Sequence, residues 1–373
     1  MTNQNFDALK FRKVSEDALV PAAEFIRKRI IGEEDIGEYL IKGDKTLVTD
    51  TDKRSEEISR PIILSGFPEL GLKQEETKGV LGNQNSPIKL YHDPLDGTGG
   101  FLIGGATPTI ILAAYDSLAK EVLACSTMEP STGRFWFSSR GNGAYLKRFD
   151  YHKSKFDSQD GRQIRVNNQG LNGSHVLIDV DHGFERTTLQ GKKRSILTSE
   201  GRRELSRRIE SEAGKVASFY TNGGHYAYVA TGRPTLIGCI TTAVGGPFDI
   251  AGLRHVLESG GVAKCYIISS ERELFYKGQD IESADMLIAA NKCDTQNAEK
   301  DFKKLKEKYP ELMIIPCSAE AELALREAAK DGIINYIPGD NEFIIKNEAK
   351  LNEKQKKALQ FIQEKILNVY GST

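Results

Sequence analysis

The sequence predicts an α/β protein, α+β in its N-terminal half and α/β in its C-terminal half. Three observations predict it. Five strand-like runs crowd between Ile88 and Leu146. From His175 to Ile268, apolar strands alternate with helical patterns, as in a sheet covered by helices. A chain of 373 residues with 39% hydrophobic content is long enough for two or three domains with substantial cores.

The elements follow in order. Leu19, Ala22, Ala23, Phe25, Ile26 and Ile30 recur at helical spacing, which predicts a helix from Ser15 to Ile31. A second helix is expected after Thr51, capped by Asp52 and ending near Ser65, before Gly66 and Pro68. Strands follow over IKLYHD to Asp93, PTIILAAYD to Asp116, EVLACSTM to Met128, RFWFSS to Ser139 and RGNGAYL. The turn EPSTG joins two of them, so those two are expected to pair antiparallel. Residues 150–173 are polar and rich in Gly, Asn and Asp, and read as a link between subdomains. Beyond it come the strand HVLIDVD, the helix SEGRRELSRRIESEAG and the strand VASFYT. The helix HYAYVATG, the strand TLIGCI, the helix PFDIAGLRHVLESGG and the strand VAKCYII complete the alternation. We place domains at 1–170, 171–292 and 293–373.

Charge and cysteine usage narrow the function. Lys+Arg of 51 against Asp+Glu of 52 gives no bulk attraction to nucleic acid or an anionic membrane. No apolar run approaches the roughly 20 residues needed to span a bilayer, and the N-terminus carries no signal-peptide core. Cys125, Cys239, Cys265, Cys293 and Cys317 are scattered without CxxC spacing. That pattern suits a reducing cytoplasm.

The chemistry concentrates in acidic clusters. DPLDGT, Asp93 to Thr98, sets two carboxylates three residues apart around a proline. Pro94 fixes its own φ and holds Asp93 out of the α region, so both carboxylates can converge on one point. Convergent carboxylates repel, and a hard divalent cation is the usual remedy. Five fixed positions would arise by chance in a chain this long on the order of once in ten thousand. Asp50 and Asp52 lie in LVTDTD, Glu75 and Glu76 in QEET, and Asp249 in GGPFDIAG. Singly, each has a structural alternative. Read alone, Asp52 is equally a cap, the glutamates a solvated loop, and Asp249 a first-turn acid on the helix dipole.

In this order the clusters resemble the inositol monophosphatase family of metal-dependent, lithium-sensitive phosphatases. The family's W-x-x-D-P-x-D-G-T appears as LYHDPLDGT and its W-D-x-A-A-G as FDIAG. VTDTD, QEE, VATGR and ESGG match four further elements, and the resemblance covers roughly residues 8–292. It implies the family's layered αβαβα fold, with a small α/β appendage behind it. It also implies a Mg²⁺-dependent phosphomonoesterase acting on a small phosphorylated alcohol. Glu75, Asp93 and the Leu95 carbonyl would hold one Mg²⁺, and Asp93, Asp96 and Asp249 a second; a third, weaker ion near Glu75 belongs to the same picture. Thr98, with Glu75 and Asp52, would orient the attacking water, and Gly97, Thr98 and Asp96 would receive the phosphate. Homodimers are common in the family, although no interface is legible in the sequence.

The departures bear on specificity. Gln74 replaces a Gly, Phe248 a Trp, Gly100 an Asn and Thr242 a substrate-reading Glu, while YTNGG only loosely echoes the family's substrate loop. Metal and phosphate handling are expected intact, and inositol is not implied. The run GFLIGG resembles one in 3′(2′),5′-bisphosphate nucleotidases, which stay open with histidinol-phosphate phosphatases. His92 reads as packed beside the site, because neighbours alternate across a strand. His225 is a candidate for lining the pocket, and Trp136 for the core.

The last segment differs. DMLIAANKCD and MIIPCSAE each read as a strand followed by a motif, NKxD at Asn291–Asp294 and SAE at Ser318–Glu320. With the sequence that follows, they resemble the back end of Obg-related GTPases. No G-x-x-x-x-G-K-[ST] occurs, so nothing cradles phosphates and no GTPase activity is expected. We expect a fusion or a chimeric gene. A guanine-nucleotide-binding regulator is the rival from another class, and the missing phosphate loop disfavours it.

Overall fold

The computed structural model describes residues 6–42, 47–105, 107–167, 169–170, 172–178, 186–187, 193–194, 206–211, 214–244, 247–267, 272–276, 284–290, 319–336 and 342–368. The backbone forms two compact units, Met1–Ser259 with Ala263–Ala289, and Gly260–Val262 with Ala290–Thr373.

The first unit opens with α1, Ala8–Ile30, which starts earlier than its periodicity indicates. Asp7 explains the start, since its carboxylate accepts the Lys10 N–H at 2.9 Å. After β1 (Tyr39–Ile41) and β2 (Leu47–Thr49), α2 runs from Asp50 to Gly66. Its cap is Thr49, not Asp52. Asp52 is the reciprocal member of a capping box, three residues in. The two helices bury Phe11, Leu19, Ile26 and Ile63 against a sheet face carrying Leu72, Leu90, Leu112 and Phe135. Each such side chain contributes about 1.5–3 kcal/mol by leaving water.

That sheet has nine strands. They are β3 (Gly71–Gln74), β4 (Leu81–Gly82), β5 (Ile88–Asp96), β6 (Thr109–Asp116), β7 (Glu121–Glu129), β8 (Arg134–Ser139), β9 (Ala144–Asp150), β10 (Lys155–Phe156) and β11 (Arg162–Ile164). The order is β10-β9-β8-β7-β6-β5-β3-β4, with β11 also on β9. Only β3 and β5 pair in parallel; the rest are antiparallel, as expected. The stretch read as a linker, 150–173, thus supplies two strands to this sheet. They are short and polar, so neither alternation nor apolar content marks them.

The opposite face of the sheet, with Trp136 and Ala144, packs on the helices Asn222–Ala230 and Leu253–Glu258 through Tyr226, Val229, Leu253 and Val256. Those helices lie in turn on a second sheet through Leu177, Leu236 and Cys239. Its strands are β12 (His175–Ile178), β15 (Lys215–Ala217), β16 (Leu236–Val244), β17 (Val262–Ile267), β18 (Arg272–Tyr276) and β19 (Ala284–Ala290); between β12 and β15 two short strands, β13 (Arg186–Thr187) and β14 (Lys193–Arg194), pair with each other. Here β12 runs parallel to both its neighbours, β15 and β16. Ile209, in the helical stretch 206–211, covers the far side against Val176, Ile178 and Ile240. Helix, sheet, helix, sheet and helix alternate, which is the expected αβαβα layering.

Two expected elements are shorter or broken. VASFYT is a strand only to Ala217, because Tyr220 turns the chain at φ 60°. The helix expected over 247–261 divides into Pro247–Ile250 and Leu253–Glu258. Gly252 stands at the break, where an added Cβ would fall 2.7 Å from the Tyr226 ring.

The second unit is described by a helix Ala319–Lys330, a hairpin of β20 (Ile334–Asn335) and β21 (Ile344–Ile345), and a helix Glu353–Ile362. Leu325, Ile333, Tyr336, Leu351, Leu359, Ile362 and Ile366 form its core. Ala319 and Glu320, expected to follow a strand directly, open the first of these helices. NKxD, Asn291–Asp294, and Ser318 lie outside the described residues.

Candidate active site

The site is built on a break in strand pairing. β5 and β6 keep register through Asp93↔Ile111, slip, and resume at Asp96↔Thr109. Pro94 and Leu95 fall in the slip, where a residue without an N–H costs no ladder bond. The Ser55 hydroxyl donates to the Pro94 carbonyl at 2.8 Å, tying the bulge to α2. The Leu95 N–H donates to Asp93 Oδ1 at 3.0 Å. Gly97 then takes φ 95° and starts α3, Thr98–Leu102. A side chain there is doubly excluded, since a Cβ would also lie 2.6 Å from the Tyr220 carbonyl oxygen.

Glu75 reaches the same place from the end of β3. Its N–H donates to the His92 carbonyl at 3.2 Å, extending the parallel pairing by one residue. The preceding Gln74 is buried. Its amide spans Arg60 Nε at 2.6 Å and His92 Nδ1 at 3.0 Å, while His92 Nε2 faces the Ser59 hydroxyl at 3.3 Å. Gln74 therefore fills a polar slot beneath the site, and His92 is a packed residue, as read from the sequence. The backbone of Glu76 is tied to α2: its N–H donates to Glu56 Oε1 at 2.9 Å. The buried Glu56 carboxylate also accepts from the Thr77 hydroxyl at 2.6 Å and Arg60 at 3.0 Å. Lys42 Nζ lies 2.6 Å from Glu76 and 3.6 Å from Glu75.

Asp52 is buried at the start of α2. Its Oδ2 accepts the Thr49 N–H at 2.7 Å and the Thr49 hydroxyl at 2.5 Å. Its Oδ1 accepts from Thr98 Oγ1 at 2.9 Å, and that hydroxyl also lies 3.1 Å from the Leu95 carbonyl. The capping role and the site role are thus held by opposite oxygens of one carboxylate.

Asp96 faces the N-terminus of the helix Asn222–Ala230. The Asn222 and Gly223 N–H groups donate to it at 3.1 and 2.7 Å, the Thr109 hydroxyl donates at 2.9 Å, and the Thr221 hydroxyl donates as well. Asp249 lies in the short helix Pro247–Ile250, and its side chain is outside the described residues.

The carboxyls raise one another. Burial pushes Asp93 well above the usual range, and the charges of Glu75 and Asp96 add to it. Glu75, with 39% of its side chain open to water, is pushed up to about 7 by desolvation, with Lys42 opposing. Asp96 and Asp52 are raised by burial and held back by the hydroxyl and N–H donors around them. Oxygen donors that repel one another at a bulge fit a hard divalent cation. Among the described residues, no three His, Cys, Asp or Glu side chains already stand in ligand geometry.

Of the sequence-derived residues, Asp52, Thr98, Leu95 and Asp93 are linked by hydrogen bonds, the charges of Glu75 and Asp96 act on Asp93, and Gly97 opens α3. Lys42, Glu56, Arg60, Thr109 and Thr221 were not foreseen. Only Thr221, just before the NGG run, carried a signal, as a helix cap. His225 is buried; its Nε2 accepts the Phe219 N–H at 3.0 Å, and no pocket-lining role follows from this contact. Trp136 is core, with its indole N–H donating to Thr231 Oγ1 at 2.8 Å.

Five alternating layers with a carboxyl cluster on a D-P-x-D-G-T bulge define a class of α/β protein with an acidic centre. The chain matches the Inositol monophosphatase family over residues 7–308, and it belongs to that family. It is 29% identical over 260 residues to inositol monophosphatase 1 of Solanum lycopersicum, covering 68% of this chain and 83% of that protein. The fold is similar to that of the extragenic suppressor protein suhB from Bartonella henselae, with a TM-score of 0.57 and 22% identity over 76% of this chain and 94% of that one. Residues 289–373 match the Obg-like GTPase YGR210-like, G4 motif-containing domain. A segment of 91 residues, 24% of this chain, is 44% identical to an uncharacterized GTP-binding protein of Methanocaldococcus jannaschii; the chain spans 22% of that relative's length. Among the described residues, no helix is long and apolar enough to cross a membrane.

Proposed function

We propose that the chain is a Mg²⁺-dependent phosphomonoesterase of the cytoplasm that hydrolyses a small phosphorylated alcohol. Glu75, Asp93, the Leu95 carbonyl, Asp96 and Asp249 would hold two Mg²⁺ ions, and a third, weaker one would bind near Glu75. Bound magnesium supplies positive charge to the phosphate and makes water more acidic. The chain's own residues supply orientation. Asp52 Oδ1 takes the Thr98 hydroxyl proton in a hydrogen bond, which leaves the Oγ1 lone pairs to accept from a water. Glu75 stands beside Asp93, and bound magnesium would keep its carboxylate ionised and turned toward the same water. Because the bulge is fixed by Ser55 and the Leu95 N–H, these groups need little rearrangement during reaction.

The Thr98–Asp52 hydrogen bond beside the Asp93 and Glu75 carboxyls carries this reading. We assign no catalysis to the segment after Ala290, because the sequence has no phosphate loop. Phosphate release from inositol 1-phosphate, 3′-phosphoadenosine 5′-phosphate, fructose 1,6-bisphosphate and histidinol phosphate, with Mg²⁺ and with EDTA, tests it. Chelator-sensitive release from one compound is expected. No release from any, in folded protein, would sink the reading.

A further inference from the structure

Tyr220 is held at φ 60°, a left-handed conformation that costs a non-glycine residue free energy unless its surroundings impose it. The surroundings do impose it. Before it, the Phe219 N–H donates to His225 Nε2 at 3.0 Å, and the Phe219 carbonyl accepts from the Thr107 hydroxyl at 2.8 Å. After it, the Thr221 hydroxyl donates to Asp96 and the Asn222 N–H donates to the same carboxylate at 3.1 Å. Two glycines of the motif region make room. A Cβ on Gly97 would fall 2.6 Å from the Tyr220 carbonyl oxygen, and one on Gly100 would fall 2.7 Å from Tyr220 Cβ. The Tyr220 side chain therefore lies over α3, directly after DPLDGT, and the residue keeps 37% of its surface exposed.

A strained, backbone-locked aromatic residue that stays accessible at the rim of a phosphate site has a chemical use. Its ring is a rigid surface on which a flat group can stack. A cyclitol offers such a surface only its C–H groups, whereas an aromatic ring offers a full π face. We propose that Tyr220 is the specificity-determining residue of this site, and that the substrate alcohol carries an aromatic or heteroaromatic ring stacking on it. This rests on the phosphomonoesterase reading for the position of the phosphate. Gly100 is part of the same device, since a larger residue there would displace the ring.

The test compares adenosine 5′-monophosphate, which carries a ring, with glycerol 2-phosphate, which does not. Binding is measured by calorimetry with Mg²⁺, and turnover by phosphate release. The wild-type protein is expected to bind the ring compound at least about tenfold more tightly, the scale of one base–aromatic stack. Tyr220→Ala should remove that preference and leave glycerol 2-phosphate within about twofold, while Tyr220→Phe should keep it. Melting temperature separates a binding effect from a folding one. No preference in the wild type, or an equal loss for both compounds in Tyr220→Ala, would overturn the proposal. If glycerol 2-phosphate is hydrolysed without a ring preference, the proposal fails and the phosphatase reading stands. If the Tyr220-dependent preference is seen but neither these two compounds nor the four phosphate esters named above are hydrolysed, the phosphatase reading fails and the ring site stands.

Discussion

The Thr98 hydroxyl donates to Asp52 Oδ1 at 2.9 Å, joining the first turn of α2 to the first residue of α3. A water-orienting hydroxyl needs such a partner, because a freely rotating one would spread its lone pairs over several directions. Thr98→Val keeps the shape and removes the hydroxyl. It should lower kcat by about 10²–10⁴-fold, the range for a lost proton-handling group. Thr98→Ser should stay within about tenfold of wild type, since it keeps the hydroxyl and loses only the packing of one methyl. Steady-state phosphate release at saturating Mg²⁺ measures both.

Asp93 and Asp96 should separate function from stability. Asp93 accepts one N–H, from Leu95, and feels the charges of Glu75 and Asp96. Asp93→Asn relieves repulsion, so turnover should vanish while the melting temperature holds. Asp96 accepts from two hydroxyls and two N–H groups at a helix start. Asp96→Ala leaves those donors unpaired and should cost on the order of 3 kcal/mol. Full activity in Asp93→Asn, or an unchanged melting curve in Asp96→Ala, would refute the respective role.

The main strands and the acidic motif were legible for a simple reason. The runs from Ile88 to Ser139 are apolar and bounded by turn residues, and D-P-x-D-G-T is rare. Where the sequence misled, packing decided. Thr49 rather than Asp52 caps α2, because a capping box puts an oxygen at both positions. Arg162–Ile164 joins the first sheet through β9, although its residues show no alternation. Gly252, at the interruption, leaves room for the Tyr226 ring, which comes from another helix. The lean of Asp96 onto Thr221 and Gly223 joins residues more than a hundred positions apart. No local pattern encodes such a partnership.

Gln74 offers a test of how the site is supported. Its amide joins Arg60 to His92, and both partners are held from α2 or β5. Gln74→Gly restores the residue type implied by the family resemblance, but it leaves the His92 Nδ1 acceptor buried and unpaired. That should cost about 1–3 kcal/mol. It should also raise the Mg²⁺ concentration needed for half-maximal rate, because Glu75 is the next residue. An unchanged melting temperature and magnesium dependence would show that the slot is only filler.

His255 gives a pH dependence clear of the carboxyl cluster. It is buried between the Thr127 hydroxyl, 3.0 Å from Nε2, and the Ser138 hydroxyl, 2.9 Å from Nδ1. Burial pushes its pKa down to about 3. Between the ordinary value of 6.5 and that value, the unfolded chain binds a proton that the folded chain refuses. The unfolded state then holds more protons, so stability rises with pH. His255 therefore contributes its full stability above pH 6.5 and loses it progressively as pH falls toward about 3. Raised carboxyls such as Glu129 act with the opposite sign, since the folded state takes up their proton first. A comparison with His255→Gln removes that background, because Gln can still reach both hydroxyls. As pH falls below 6.5, the wild type should lose stability faster than the variant, by a slope that approaches about 1.4 kcal/mol per pH unit. Denaturant melts at a series of pH values measure the two slopes. Parallel slopes would mean that His255 takes up its proton in the folded protein at the same pH as in the unfolded chain.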